Sequence, residues 1–259
     1  MSAGDRTRRA PRHAQTLAAF ALASVFAATV AGAIIPDARR ISGAVAEANR
    51  DAGRSAPVLL EVTLRIGDGP VVATGVLATH PTGLARLELS SPQGFVERHL
   101  LQGNARSASR DGQVIASPRH FLPPVFLLQA TSGAALRAAL TSFGIAADEV
   151  VLGRIEDYDC YVLGGRLPRQ AEQEGRSIPS LWVDAETFEV VRVDGPDGAR
   201  YRFGPPRDFD GIRVPSWIRI EGKDEPASRL DVVGVAPANA PAAAFDRDWL
   251  LAPSASEQP

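Results

Sequence analysis

The chain has 259 residues, of which 45% are hydrophobic, 22% charged and 6% aromatic, with a formal net charge of −2. That balance excludes a largely disordered chain, a collagen-like repeat and a strongly basic nucleic-acid binder. The single cysteine, Cys160, excludes an internal disulfide and any zinc site built from paired cysteines. Set in the apolar run Cys160-Tyr161-Val162-Leu163, it reads as a buried structural thiol.

Arg6, Arg8, Arg9 and Arg12 precede an uncharged run of 20 residues from Thr16 to Ile35. Within that run, Ala31-Gly32-Ala33 has the small-x-small spacing of a signal cleavage site. Residues 1–33 are therefore expected to be a signal peptide, which makes the periplasm the expected location. The run is also long enough to span a bilayer, so an uncleaved inner-membrane anchor is the alternative. Cleavage would leave a mildly acidic domain, disfavouring adhesion to anionic membrane surfaces.

A first helix is predicted over Ala38–Arg50, with Asp37 as N-cap and Gly53 beyond its end. Val58, Leu60, Val62, Leu64 and Ile66 then alternate with Leu59, Glu61, Thr63 and Arg65, the period of a strand. Gly67-Asp68-Gly69-Pro70 turns the chain into Val71–Thr79. Leu84–Leu89 alternates again, with Leu87 and Leu89 opposite Arg86 and Glu88. Phe95–Leu101 and Ala105–Ala116 continue the meander, with Asp111-Gly112 as a hairpin turn.

After Pro123-Pro124 the spacing of Leu128, Leu136, Leu140 and Phe143 is helical. Gly144 stands at the C′ position, and Thr131 or Ser132 is placed to divide the segment in two. Strands resume at Val150–Arg154 and Asp159–Leu163, followed by a polar loop from Arg166 to Ser177. The last third holds Leu181–Asp184, Phe188–Val193, Ala199–Phe203, Trp217–Glu221 and Arg229–Val235. About eleven strands and few helices give an α+β, mainly β, fold. Its single antiparallel sheet must curl or close, with its helices placed to cover the concave face around an apolar interior suited to a long hydrophobic ligand. One domain over residues 34–252 is expected, with 253–259 as a disordered tail.

A catalytic reading finds little in this sequence. His80, His99 and His120 fall on separate predicted elements without metal-ligand spacing, and no G-x-S-x-G elbow occurs. Glu156-Asp157-Tyr158-Asp159 reads as a solvated turn. Asp208-Phe209-Asp210-Gly211 lacks the ligands that an EF-hand loop requires. No enzyme, no metal and no cofactor are expected.

The segment Pro179–Phe188, with Trp182 and Asp184, followed by Val190-Val191-Arg192, resembles a signature of the outer-membrane lipoprotein carrier (LolA-like) superfamily, the lipoprotein-sorting proteins. Gly211-Ile212-Arg213-Val214-Pro215 before Trp217-Ile218-Arg219-Ile220 matches that family's "G-x-x-x-P, then strand" element. Gly75-Val76-Leu77, His80-Pro81 and Arg86-Leu87-Glu88 resemble its first hairpin. The order holds over roughly residues 36–250.

That resemblance implies a curved antiparallel half-barrel covered by helices, with a cavity for acyl chains. It also implies a periplasmic carrier or chaperone, monomeric, for a lipoprotein or another lipid. An inner-membrane transporter and an outer-membrane acceptor would then be its partners. A lipid-regulated envelope-stress sensor or interaction module is the alternative. The family's lid-holding arginine corresponds to His80, so the lid latch here would be a histidine with weaker, pH-dependent contacts. Residues expected to line the cavity are Leu60, Val62, Leu64, Val76, Leu87, Leu89, Phe126, Leu127, Trp182 and Ile218. For Trp182, Trp217 and Phe188, packing in a core and lining a cavity are both compatible with the sequence.

Overall fold

The computed structural model describes residues 36–165, 177–223 and 225–252. The expected signal peptide, most of the polar loop and the tail from 253 lie outside the described residues. Helix α1 (Ala38–Asp51) begins where Asp37 accepts the Arg40 N–H at 2.8 Å, and it buries Ile41, Val45 and Ala46 along one face. Beyond its end Arg54 is buried and donates to Asn49 Oδ1 and to the Arg213 carbonyl, each at 3.1 Å. Burial, and then the Arg213 charge, push the Arg54 pKa down to about 10, so it remains a cation at neutral pH. The end of a helix, where free carbonyls gather, is where a buried cation is best tolerated.

The meander follows as β1 (Val58–Ile66), β2 (Val71–His80), β3 (Leu84–Ser90), β4 (Val96–Gln102), β5 (Ala105–Arg110) and the short β6 (Gln113–Val114). A 3₁₀ segment, Val125–Gln129, and helix α2 (Gly133–Phe143) interrupt it. Ser132 caps α2 by accepting the Ala135 N–H at 3.1 Å, and Gly144 ends it at φ 95°. Strands β7 (Val150–Ile155), β8 (Tyr158–Leu163), β9 (Ser180–Asp184), β10 (Val190–Asp194) and β11 (Arg200–Phe203) come next. They are followed by β12 (Pro206–Phe209), β13 (Ile212–Pro215), β14 (Trp217–Glu221), β15 (Ser228–Pro237) and α3 (Arg247–Leu251).

Thirteen strands form one antiparallel sheet in the order β6-β5-β4-β3-β2-β1-β15-β14-β11-β10-β9-β8-β7. The sheet curves without closing into a barrel. The register slips by one at Glu61/Val62 and at Leu64/Arg65, with Val233 of β15 and Val72 of β2 as the extra residues, so both neighbours of β1 carry a bulge that sharpens the coil. The strand count exceeds the expected eleven, chiefly because β12 and β13 form a separate hairpin. Each is only four residues long, with Pro206, Arg207 and Asp208 exposed on β12 and Val214 and Pro215 buried side by side on β13, so no apolar alternation announces them. Their turn is Asp208-Phe209-Asp210-Gly211, in which Asp208 Oδ1 accepts the Gly211 N–H at 3.0 Å.

The inner face of the sheet carries α1, the 3₁₀ segment and α2. Ile41, Val45, Leu60, Leu77, Leu87, Phe126, Leu136, Leu181 and Ile218 share one buried core there. The two helices touch at small residues: a Cβ on Gly133 would lie 2.9 Å from the Gly43 nitrogen. After β15 the chain crosses the outer face of β2–β5. Ala78 and Leu100 pack with Phe245 and Leu250 in a second cluster. Arg86 donates to the Ala244 carbonyl at 2.5 Å and stacks over Trp249 at 5.0 Å, while Gln102 holds the Phe245 carbonyl at 2.9 Å. Among the described residues no helix is long and apolar enough to cross a membrane.

Candidate functional site

Alternation decides which side chains face the helices. On β1, β2 and β3 the inward set is Leu60, Val62 and Leu64, then Ala73 and Leu77, then Ala85, Leu87 and Leu89, all buried. The structure brings eight of the ten sequence-predicted lining residues into this core: Leu60, Val62, Leu64, Leu87, Leu89, Phe126, Leu127 and Ile218. Two stand apart. Val76 is on the outer face, 42% exposed, because it is one residue out of step with Leu77. Trp182 is buried on the outer face in a small cluster with Cys160 and Val162. Its Nε1 donates to Ser180 Oγ at 3.0 Å, and the Arg192 guanidinium lies 4.4 Å from its ring. Gly153 makes room for that ring, since a Cβ there would lie 2.4 Å from it.

Most of the inner face is filled rather than open. Phe126, Leu127 and Leu128 of the 3₁₀ segment occupy the hollow of the sheet, with exposures of 0–1%. The segment is tied down by two polar contacts: Thr79 Oγ1 donates to Gln129 Oε1 at 2.8 Å in the interior, and Gln129 Nε2 donates to the Ala56 carbonyl at 2.7 Å. His80, the residue expected to latch the lid, points the other way. Its Nδ1 lies 2.7 Å from Thr82 Oγ1 and its ring meets Phe245 edge-on at 6.0 Å. Thr79, its neighbour in the strand, is the side chain that reaches the covering segment.

One part of the inner face stays open. A pocket of about 210 Å³ lies where β1, β2 and β3 end beside β4 and β5. Leu64, Ile66, Ala73, Leu89 and Phe121 form its apolar wall, and Ser91, Gln93, Glu97, Arg110 and Arg119 its polar rim. Leu64 and Leu89 also belong to the main core, so the pocket is an unfilled extension of it. Period-two spacing places Glu97 and His99 on the inward side of β4, and the β4–β5 register sets Arg110 opposite Glu97. Glu97 is 2.8 Å from His99 Nε2 and 2.8 Å from Arg110 Nη2. Burial alone would raise its pKa, but the hydrogen bonds and charges of His99 and Arg110 outweigh this and hold it down to about 2.

In the sequence His99 stands as an isolated histidine, and no motif marks Glu97, Arg110 or Arg119. The Glu-x-His spacing on a strand is the signal that could have found the cluster. A second polar cluster involves the remaining histidine: His120 Nε2 is 3.4 Å from Asp197 and its Nδ1 is 3.5 Å from Glu225. Among the described residues no group of three or more His, Cys, Asp and Glu could hold a metal ion. Cys160 is fully buried, and burial, then the Asp184 charge, push its pKa up to about 11, so it is a thiol at neutral pH.

No protein-family model matches the sequence, and no curated protein matches it. Among solved structures, the chain is similar to a LolA superfamily protein from Nitrosomonas europaea, with 16% identity, a TM-score of 0.49, and coverage of 83% of this chain and 100% of that one. It is similar to a DUF1329 family protein from Desulfovibrio piger at 16% identity and a TM-score of 0.46, covering 83% and 100% of the two chains. A domain described as an outer membrane lipoprotein-sorting protein, from Vibrio parahaemolyticus, matches at 9% identity and a TM-score of 0.48, covering 81% and 98%. Likeness at this level concerns the fold only.

Proposed function

We propose that the protein is a periplasmic carrier that binds acyl chains, of a lipoprotein or another lipid, against the inner face of its sheet. The observation that carries this reading is the 210 Å³ apolar pocket opening directly onto the core at Leu64 and Leu89. Its volume lies below the range of about 300–1,000 Å³ usual for small-molecule sites. A long chain therefore has to displace the 3₁₀ segment, whose Phe126 and Leu127 fill the space that the ligand would take. Each methylene transferred from water to that face contributes about 0.8 kcal/mol, so several together offset the packing of the displaced segment.

In this reading Leu60, Val62, Leu64, Leu87, Leu89 and Ile218 are the acyl-contacting side chains, and the Thr79–Gln129 contact holds the segment closed. Delivery to an outer-membrane acceptor, from an inner-membrane transporter, would be the cellular role of the monomer. Native mass spectrometry of protein purified from an envelope fraction tests the proposal, with a co-purifying lipid as the expected result. A bare mass, together with no uptake of a fluorescent fatty acid, would overturn it.

A further inference from the structure

The rim of the pocket carries an uneven set of charges. Two of its lining side chains are guanidinium groups, Arg110 and Arg119, and one is a carboxylate, Glu97. Glu97 is taken up by His99 and Arg110, and Arg110 also lies 4.6 Å above the Phe95 ring. Arg119 differs. Among the described residues it makes no ion pair, and its guanidinium rests 5.6 Å from the ring of Phe121, the aromatic wall of the pocket.

A guanidinium that is weakly hydrated, stacked on an aromatic ring and free of a carboxylate has its full fork of donors available to an anion. Here that fork stands at the lip of an apolar recess whose floor is Leu64 and Leu89. The volume of the recess limits the occupant to part of a single chain.

We infer that this pocket selects an amphiphile with one apolar chain and an anionic head, a carboxylate or a phosphate. The tail lies on Leu64, Leu89 and Phe121, and the head pairs with Arg119. Glu97 does not attract cations, because Arg110 already engages it. The inference rests on the reading of the inner face as an acyl-binding surface and adds to it the chemistry of the head group.

Calorimetric titration at pH 7.5 with decanoate, decyl phosphate, 1-decanol and inorganic phosphate, below micellar concentrations, tests it on the parent, Arg119→Ala and Arg119→Lys proteins. Arg119 is exposed, so its variants should unfold at the parent's urea midpoint. The expected result is anionic decyl compounds binding about tenfold more tightly than decanol, in line with one charge-assisted hydrogen bond. Arg119→Ala should erase that preference, leave decanol unchanged, and be partly rescued by Arg119→Lys. Equal binding of decanol and decanoate, indifferent to Arg119, would overturn head-group selection while the acyl-binding reading stands. Inorganic phosphate binding as tightly as decyl phosphate would make this a plain anion site and overturn the role of the tail. Absence of binding by every decyl compound would overturn both readings.

Discussion

Arg106 on β5 donates from Nη2 to the Tyr201 hydroxyl on β11 at 2.5 Å, although six strands separate them in the order of the sheet. The same guanidinium holds Asp197 Oδ2 at 2.7 Å and the Leu122 carbonyl at 2.8 Å. These contacts join two distant parts of a sheet that backbone hydrogen bonds leave open. Arg106→Ala is predicted to cost about 2 kcal/mol, because Tyr201 loses a partner inside the protein while Asp197 keeps access to water. Tyr201→Phe, which leaves the other two contacts, should cost about 1 kcal/mol. Urea denaturation of the three proteins measures both.

Acid should weaken the fold through Glu97 and Asp197. Burial disfavours both charges, yet Glu97 is held down to about 2 by His99 and Arg110, and Asp197 well below the usual carboxylate range by His120 and Arg106. A depressed carboxylate contributes stability above its unfolded pKa and loses that contribution as pH falls through its folded one. The urea midpoint is therefore expected to drop between about pH 5 and pH 2. Glu97→Gln should flatten part of that slope; an unchanged slope would show that the native carboxylate is not depressed.

Leu64 and Leu87 are both buried, but only Leu64 borders the pocket. A glutamine amide at 64 can turn toward Ser91 and Gln93 at the pocket rim, whereas at 87, opposite His99 on β4, it is enclosed in the filled core. Leu64→Gln is predicted to cost about 1 kcal/mol and Leu87→Gln about 3 kcal/mol or more. The same preparations should differ in fatty-acid uptake, with Leu64→Gln losing it despite its smaller effect on stability. Equal stability losses would mean that position 64 has no open space beside it.

Thr79→Val removes the hydrogen bond to Gln129 and leaves a buried amide oxygen without that donor. It should cost about 1–2 kcal/mol and speed hydrogen exchange across Val125–Gln129. His80→Arg should leave exchange in that segment unaltered, since His80 faces Thr82 and Phe245. Faster or slower exchange in His80→Arg would restore the histidine as the latch.

Cys160 should resist a maleimide in the native protein and react completely in urea. Its thiol is buried and its pKa is pushed up to about 11, so native protein presents almost no thiolate. Rapid native labelling would place the β8–β9 region among locally opening parts of the fold.

The period-two pattern of β1 makes that strand legible to its ends, Val58 and Ile66, and the inward position of Leu64 follows from the same alternation. Asp37, Ser132 and Gly144 mark helix boundaries because capping chemistry is local. What cannot be read depends on partners distant in sequence. The pairing of Arg106 with Tyr201, and the seating of Phe245 on Ala78, require the folded sheet before they exist. The filling of the inner face by Phe126 is equally hidden, since an apolar residue that plugs a hollow and one that lines it have the same sequence signature. That Thr79 rather than His80 faces the covering segment has a simpler reason: neighbours on a strand point to opposite sides of the sheet.

The pairing of β1 with β15 joins segments some 170 residues apart, Val58 lying opposite Pro237. During synthesis at about 5–20 residues per second, β1 and β2 emerge many seconds before the strand that completes their sheet. Throughout that interval the Leu60, Val62 and Leu64 edge has no neighbour on one side and offers itself to any extended chain nearby. The nascent protein is thus most vulnerable to misassembly at its own centre, and a holding partner would serve it best before β15 appears.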